Sequence, residues 1–264
     1  MRAPAVALDL DGVVWLAETP IVGAGDAIDR LRAAGIDVVF VTNNAYPTVG
    51  EQEAKLARHG IDADGSVLTS PMAAATLVEP GQRVLVAGGP GIAEAVVAHG
   101  AVAVSYDEAD AVGRPPPHAV IAGFHRDFDW ERMRIAATAV RRGARLVATN
   151  DDATYPTDLG PVPGGGAIVA SIATAAGVEP VVAGKPHPPM AALVRQRAGD
   201  RGVMVGDRPE TDGLFAKALG WQFGLVLTGV TGSGDLPVEP APDLVADDLA
   251  GLVDKLLIND PTAG

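Results

Sequence analysis

Unbroken apolar runs, rather than alternating ones, punctuate this chain. They lie within the stretches 6–8, 38–45, 67–68, 83–87, 101–104, 119–122, 146–149, the segment from Gly202, 223–227 and 244–245. Continuous Val, Ile, Leu and Ala is the pattern of a strand buried on both faces, as in a parallel sheet. Between the runs, apolar residues recur at helical spacing. Ile28, Leu31 and Ala34 mark a helix over 26–34 that Gly35 stops, and further helices are expected over 48–59, 73–78, 130–142, 168–176, 189–198, 211–219 and 249–257. The segment 15–25 reads as a loop, 148–160 as a strand leaving into a polar turn, and the tail 259–264 as disordered. Strands alternating with helices predict an α/β protein with a parallel sheet. The pattern restarts at Arg83, so a discontinuous first domain, 1–80 with 184–264, is expected to carry a smaller inserted α/β domain over 81–183.

Composition narrows the possibilities. With 48% apolar but only 4% aromatic residues in 264, the core must be built from aliphatic side chains. The absence of cysteine excludes disulfides, zinc-thiolate sites and thiol catalysis, and fits a reducing cytoplasm. A net charge of −13 argues against a nucleic-acid binder that tracks the backbone. No stretch is long and apolar enough to span a bilayer, so a soluble cytoplasmic protein without a membrane partner is expected. An anionic small molecule stays open, because one metal ion and one lysine reverse the field locally.

The chemistry gathers at strand ends. The first run stops at Asp9, Leu10, Asp11 and Gly12, and nothing about a buried strand requires two carboxylates there. Taken alone, Asp11-Gly12 reads equally well as a turn with Asp9 as its initiator. The second run ends in Thr42, Asn43 and Asn44, which suit either an oxyanion or an ordinary helix cap. Lys185, one of only four lysines, lies between Gly184 and Pro186 just ahead of a helix. A third run ends in an acidic loop with Asp207, Glu210 and Asp212. If these strands are parallel neighbours, all of these groups meet at one sheet edge, where ligands bind. Clustered carboxylates suit Mg²⁺, and a cation beside a lysine suits phosphoryl transfer. The glycines at 88, 89 and 91 miss the dinucleotide-binding spacing, since Glu94 stands where the third small residue belongs, and read as a tight strand-to-helix turn.

These motifs, in this order, resemble the haloacid dehalogenase-like phosphohydrolases. DLDGVVW, VTNNA, ATNDDATYP, GKPHPPM and VGDRPETD are similar to the branch containing phosphoglycolate, glycerol-phosphate, p-nitrophenyl phosphate and pyridoxal phosphate phosphatases and the NagD-type nucleotidases. The resemblance implies a Rossmann-like parallel-sheet core with an inserted α/β cap, Mg²⁺ as cofactor, and a small phosphorylated metabolite as substrate. It implies that Asp9 is the nucleophile and a metal ligand, and that Asp11 is the acid and base with its main-chain carbonyl on the metal. Thr42, Asn43 and Lys185 would hold the phosphoryl oxygens, Asp207 would be the second metal carboxylate, and Asp212 would orient the site from outside it. Tyr155 and Pro156, with Phe124 beside them, would reach the substrate from the cap; equally, Tyr155 and Phe124 would fill the cap's sparse aromatic core. A homodimer through the cap is a further implication. A phosphotransferase and a catalytically silent Mg²⁺- or phosphate-binding module are the alternatives to hydrolysis. Ala45, Tyr46 and Pro47 depart from the Ser or Arg that many relatives carry after Thr-Asn-Asn.

Overall fold

The apolar run Ala5–Leu8 forms a fully buried strand in the computed structural model, which describes residues 5–63, 65–157 and 160–258. The expected disorder over 259–264 lies outside these residues. A strand with no polar side chain needs cover on both faces, and this one has a strand on either side as well. Its neighbours are Asp37–Thr42 and Gly202–Gly206, both parallel to it. Gln222–Val226 and then Leu244–Ala246 continue the sheet in parallel beyond Gly202–Gly206, and Val67–Thr69 flanks Asp37–Thr42 at the other edge. Parallel order brings the carboxyl ends of the central strands to one edge.

The chain divides into two compact units. The first comprises Met1–Thr42, Gln52–Leu68 and Lys185–Gly264, and the second comprises Asn43–Glu51 and Thr69–Gly184. The second unit contains its own five-stranded parallel sheet, ordered Val181–Val182, Arg145–Ala148, Ala119–Ala122, Arg83–Ala87 and Val102–Val104. Residues 43–51 and 69–80 cluster with this second unit, although the restart at Arg83 assigned them to the first. The reason is close packing around the glycine turn. Gly91 donates its N–H to the Tyr46 carbonyl at 3.0 Å, and a Cβ on Gly89 would fall 2.6 Å from the Tyr46 ring. The Asn43 carbonyl accepts from the Ser70 hydroxyl at 2.9 Å and from the Asn150 amide at 2.7 Å. These glycines therefore admit a neighbouring chain segment.

Several elements differ from the sequence expectation, among them two short ribbons and one helix start. Trp15–Leu16 and Thr19–Pro20 pair as a short antiparallel ribbon where a loop was expected. Thr154–Thr157 and Gly160–Pro163 form a second antiparallel ribbon, with Tyr155 opposite Val162 and Pro156 opposite Pro161. Its prolines concealed it, because proline is tolerated only in such edge positions. The expected helix at 211 is preceded by a wide π-helical turn, Pro209–Gly213, and the α-helix proper is Leu214–Leu219. No helix among the described residues is long and apolar enough to cross a membrane.

Candidate active site

The site is assembled within the first unit from three neighbouring strand ends and one loop. Asp9 follows directly on Ala5–Leu8, and Asp207 follows on Gly202–Gly206. The wide turn after Asp207 carries Asp212 back to be fully buried. Lys185, 1% exposed, reaches Asp9 at 2.9 Å and Asp212 at 2.7 Å. Carboxylate oxygens of Asp9, Asp207 and Asp212 lie within 4.8 Å of one another. Thr42, also 1% exposed, ends the strand beside Ala5–Leu8.

Each carboxylate is differently engaged. Asp9 accepts the Leu10 N–H at 2.8 Å on Oδ1, the atom Lys185 also approaches. Asp212 is committed on both oxygens, to Lys185 on Oδ1 and to the Arg208 N–H at 3.2 Å on Oδ2. Asp207 accepts the Val230 N–H at 2.6 Å on Oδ2, whereas its Oδ1 is buried without a hydrogen-bond partner. A buried carboxylate oxygen without a donor calls for a cation. Gly12, at φ +86°, makes room for this carboxylate, since a Cβ there would lie 2.5 Å from it.

Electrostatics point the same way. Burial raises Asp9 well above the ordinary carboxylate range; Lys185 draws it down, while Asp212, Asp207 and Asp11 push it up. Burial, with Asp212 adding to it, lifts Asp207 to about 6 against the Val230 N–H, Arg208 and Lys185. Burial works against the charge on Lys185, but Asp212 and Asp9 outweigh it, so the lysine is held protonated. Three carboxylates and one ammonium leave excess negative charge, and a divalent cation with oxygen preference fits that donor set.

Comparison with known proteins identifies the family. Residues 6–102 match a haloacid dehalogenase-like hydrolase model, and residues 182–252 match a HAD-hydrolase-like model. The D-glycerol 3-phosphate phosphatase of Mycobacterium tuberculosis (strain ATCC 25618 / H37Rv) is 38% identical over 97% of this chain and 73% of its own length. A crystal structure of a Mycobacterium tuberculosis glycerol phosphate phosphatase in complex with magnesium is 36% identical, with a TM-score of 0.84 over 95% of this chain and 76% of that one. The p-nitrophenyl phosphatase of Archaeoglobus fulgidus is 29% identical, with a TM-score of 0.86 over 95% and 98%.

The chain belongs to the haloacid dehalogenase-like hydrolases. Within that family frame, the side chain of Asp11 stands apart from the carboxylate cluster and accepts the indole N–H of Trp15 at 3.0 Å. Burial raises this carboxyl too, opposed by Lys55, the Trp15 hydrogen bond, Lys185 and Arg208.

The other expected residues lie in the second unit. Asn43 donates its amide to Asp152 at 3.1 Å, and the Phe124 ring lies 6.2 Å from that of Tyr155 and 5.9 Å from that of Tyr46. The Arg126 guanidinium sits 4.7 Å over the Tyr46 ring. The sequence pattern assigned no role to Trp15, Lys55, Asn150 or Tyr46, and Asp152 fell within the stretch 148–160 read as a polar turn. Trp15 and Asp152 both lie inside motifs that carried the resemblance, which was the available signal.

Proposed function

We propose that this haloacid dehalogenase-like hydrolase is a Mg²⁺-dependent phosphatase acting on small phosphate monoesters through a phosphorylated Asp9. The observation that carries this reading is the buried Lys185 paired with Asp9 and Asp212 beside an Asp207 oxygen that has no hydrogen-bond donor. Asp9, Asp207 and the main-chain carbonyl of Asp11 would hold the ion, and Asp212, engaged on both oxygens, orients Lys185. When bound, Mg²⁺ supplies charge neutralisation for the phosphoryl oxygens. The magnesium complex of the mycobacterial relative supports the choice of metal.

The chain's own groups account for the reaction. Both donors to Asp9 reach Oδ1, so Oδ2 attacks phosphorus as the ester P–O bond breaks. The leaving oxygen takes a proton from Asp11. Water then attacks the aspartyl-phosphate and gives its proton to Asp11, and the bond between Asp9 and phosphorus breaks to release phosphate. Lys185, the Thr42 hydroxyl and the Asn43 amide hold the phosphoryl oxygens, where fixed donors are worth most.

Glycerol phosphate and p-nitrophenyl phosphate are the first substrates to test, supported by the names of the relatives, with phosphoglycolate beside them on the motif resemblance alone. Specificity is assigned to Tyr155, Pro156 and Phe124, with Tyr46 added by its ring contact to Phe124. A homodimer through the second unit is supported by exposed Val178 and Val181 beside a cavity of about 650 Å³, and sedimentation would report it. The decisive experiment replaces Asp9 by Asn. Turnover should vanish with the fold intact, and EDTA should reproduce the loss in the unmodified protein; a variant with substantial phosphatase activity overturns the mechanism.

A further inference from the structure

We infer that Trp15 and Lys55 are positioning residues for Asp11, the indole N–H holding one carboxyl oxygen so that the other delivers the proton to the leaving group. This rests on the reading of Asp11 as the general acid. The local chain brings the two residues together. Gly12 donates its N–H to the Trp15 carbonyl at 2.7 Å, and Val14 and Trp15 direct theirs to the Leu10 carbonyl at 2.9 and 3.3 Å. That curl returns residue 15 to residue 11, and the indole Nε1 meets Asp11 Oδ1 at 3.0 Å.

An indole N–H donates and never accepts. Asp11 Oδ1 is therefore an acceptor in both protonation states, and the acidic proton resides on Oδ2. A carboxyl free to rotate would present the proton in several directions, and proton transfer depends on alignment.

Trp15 is itself held. It is 1% exposed, and the Lys55 ammonium lies 4.4 Å over its ring centroid, a cation–π contact. The His59 ring lies 5.9 Å away. Lys55 also donates to the Ala17 carbonyl at 2.5 Å and approaches Glu18 at 3.3 Å, tying the helix Val49–Arg58 to the turn of the Trp15–Pro20 ribbon. A phenylalanine would serve equally well if packing were the whole role, so the N–H is the group to remove.

The test uses the Mg²⁺-loaded full chain and a series of substituted phenyl phosphates with graded leaving-group acidity, following leaving-group release in the first turnover. Trp15→Phe should slow release at least about tenfold for the poorest leaving group and less than about threefold for p-nitrophenol, within the range of general acid catalysis and with apparent substrate affinity unchanged. Asp11→Asn should show the same steepened dependence, and Lys55→Met a smaller steepening in the same sense. If Asp11→Asn steepens the dependence but Trp15→Phe leaves it parallel to wild type, the inference alone is overturned. If Asp11→Asn also leaves it parallel, Asp11 is not the acid and both readings fall. Should Trp15→Phe not fold, a folded Lys55→Met with unchanged dependence overturns the positioning role.

Discussion

Lys185 bridges Asp9 and Asp212, its ammonium 2.9 Å from one and 2.7 Å from the other, with the lysine and Asp212 both inaccessible to water. Removing one partner of a buried ion pair leaves an uncompensated charge, a loss of about 3–5 kcal/mol. Lys185→Met should therefore lower denaturant stability by that order and reduce kcat by roughly 10²–10³, the scale of a lost fixed donor to a developing charge. Lys185→Arg should not restore activity, since a planar fork cannot occupy the position of a compact ammonium between two carboxylates. Urea melts and steady-state kinetics on the two variants check both statements.

The acidic cluster makes stability depend jointly on protons and metal. Folded Asp207 titrates at about 6, above the 3.8 of an ordinary aspartate. Between about pH 4 and 6 the folded state keeps a proton that the unfolded state has released, so for this group metal-free stability falls as pH rises through that window. A divalent cation on the same carboxylates opposes that loss. Adding Mg²⁺ should raise Tm most above pH 6 and progressively less below it, because protons compete for the ligands. Asp207→Asn should raise the metal-free Tm at neutral pH and abolish the Mg²⁺ response. Melts with EDTA and with Mg²⁺ across this range decide the point; a Mg²⁺ shift independent of pH refutes it.

Much of this site is legible in the sequence because its logic is that of a parallel sheet. Val6–Leu8 and Val203–Val205 are apolar throughout, so the carboxylates that follow them fall at the same edge once the strands are neighbours. Asp212 is harder to read. A helix beginning at 211 would project it by helical period, whereas the wide turn Pro209–Gly213 curls it back under Lys185. The Thr154–Pro163 ribbon escapes a reading based on apolar runs because its pairing is made by backbone around three prolines. Trp15 escapes for another reason. Its aromatic body satisfies the core pattern, and only the curl of residues 11–15 reveals that its polar edge faces Asp11.

Gly12 belongs to the chemistry through space as well as conformation. Its φ of +86° is strained for any other residue, and an added Cβ would collide with the Asp207 carboxyl at 2.5 Å. Gly12→Ala should lower stability by about 1–3 kcal/mol through backbone strain. It should also weaken Mg²⁺ binding, since the displaced carboxylate is a proposed ligand. Calorimetric titration with Mg²⁺ separates the two effects: a variant that is merely less stable but binds the ion as wild type does would place Asp207 outside the metal site.

Substrate choice is expected to rest on the aromatic set of the second unit. Tyr46, Phe124 and Tyr155 form a chain of rings with centroids 5.9 and 6.2 Å apart, and Arg126 lies over Tyr46. Rings that only fill a core contribute about 0.5–1.5 kcal/mol per pair beyond the area they bury, and their loss shows as stability. Rings that also meet the leaving group contribute to substrate binding, and their loss shows in KM. Tyr155→Ala and Tyr46→Ala should therefore raise KM for glycerol phosphate several-fold while leaving kcat within about threefold, since the residues named for phosphoryl transfer are untouched. Phe124→Ala, which removes the middle ring, should lower Tm as well. Kinetics with several phosphate esters, read beside the melts, distinguish the two roles: a fall in Tm with KM unchanged for every ester assigns the three rings to packing alone.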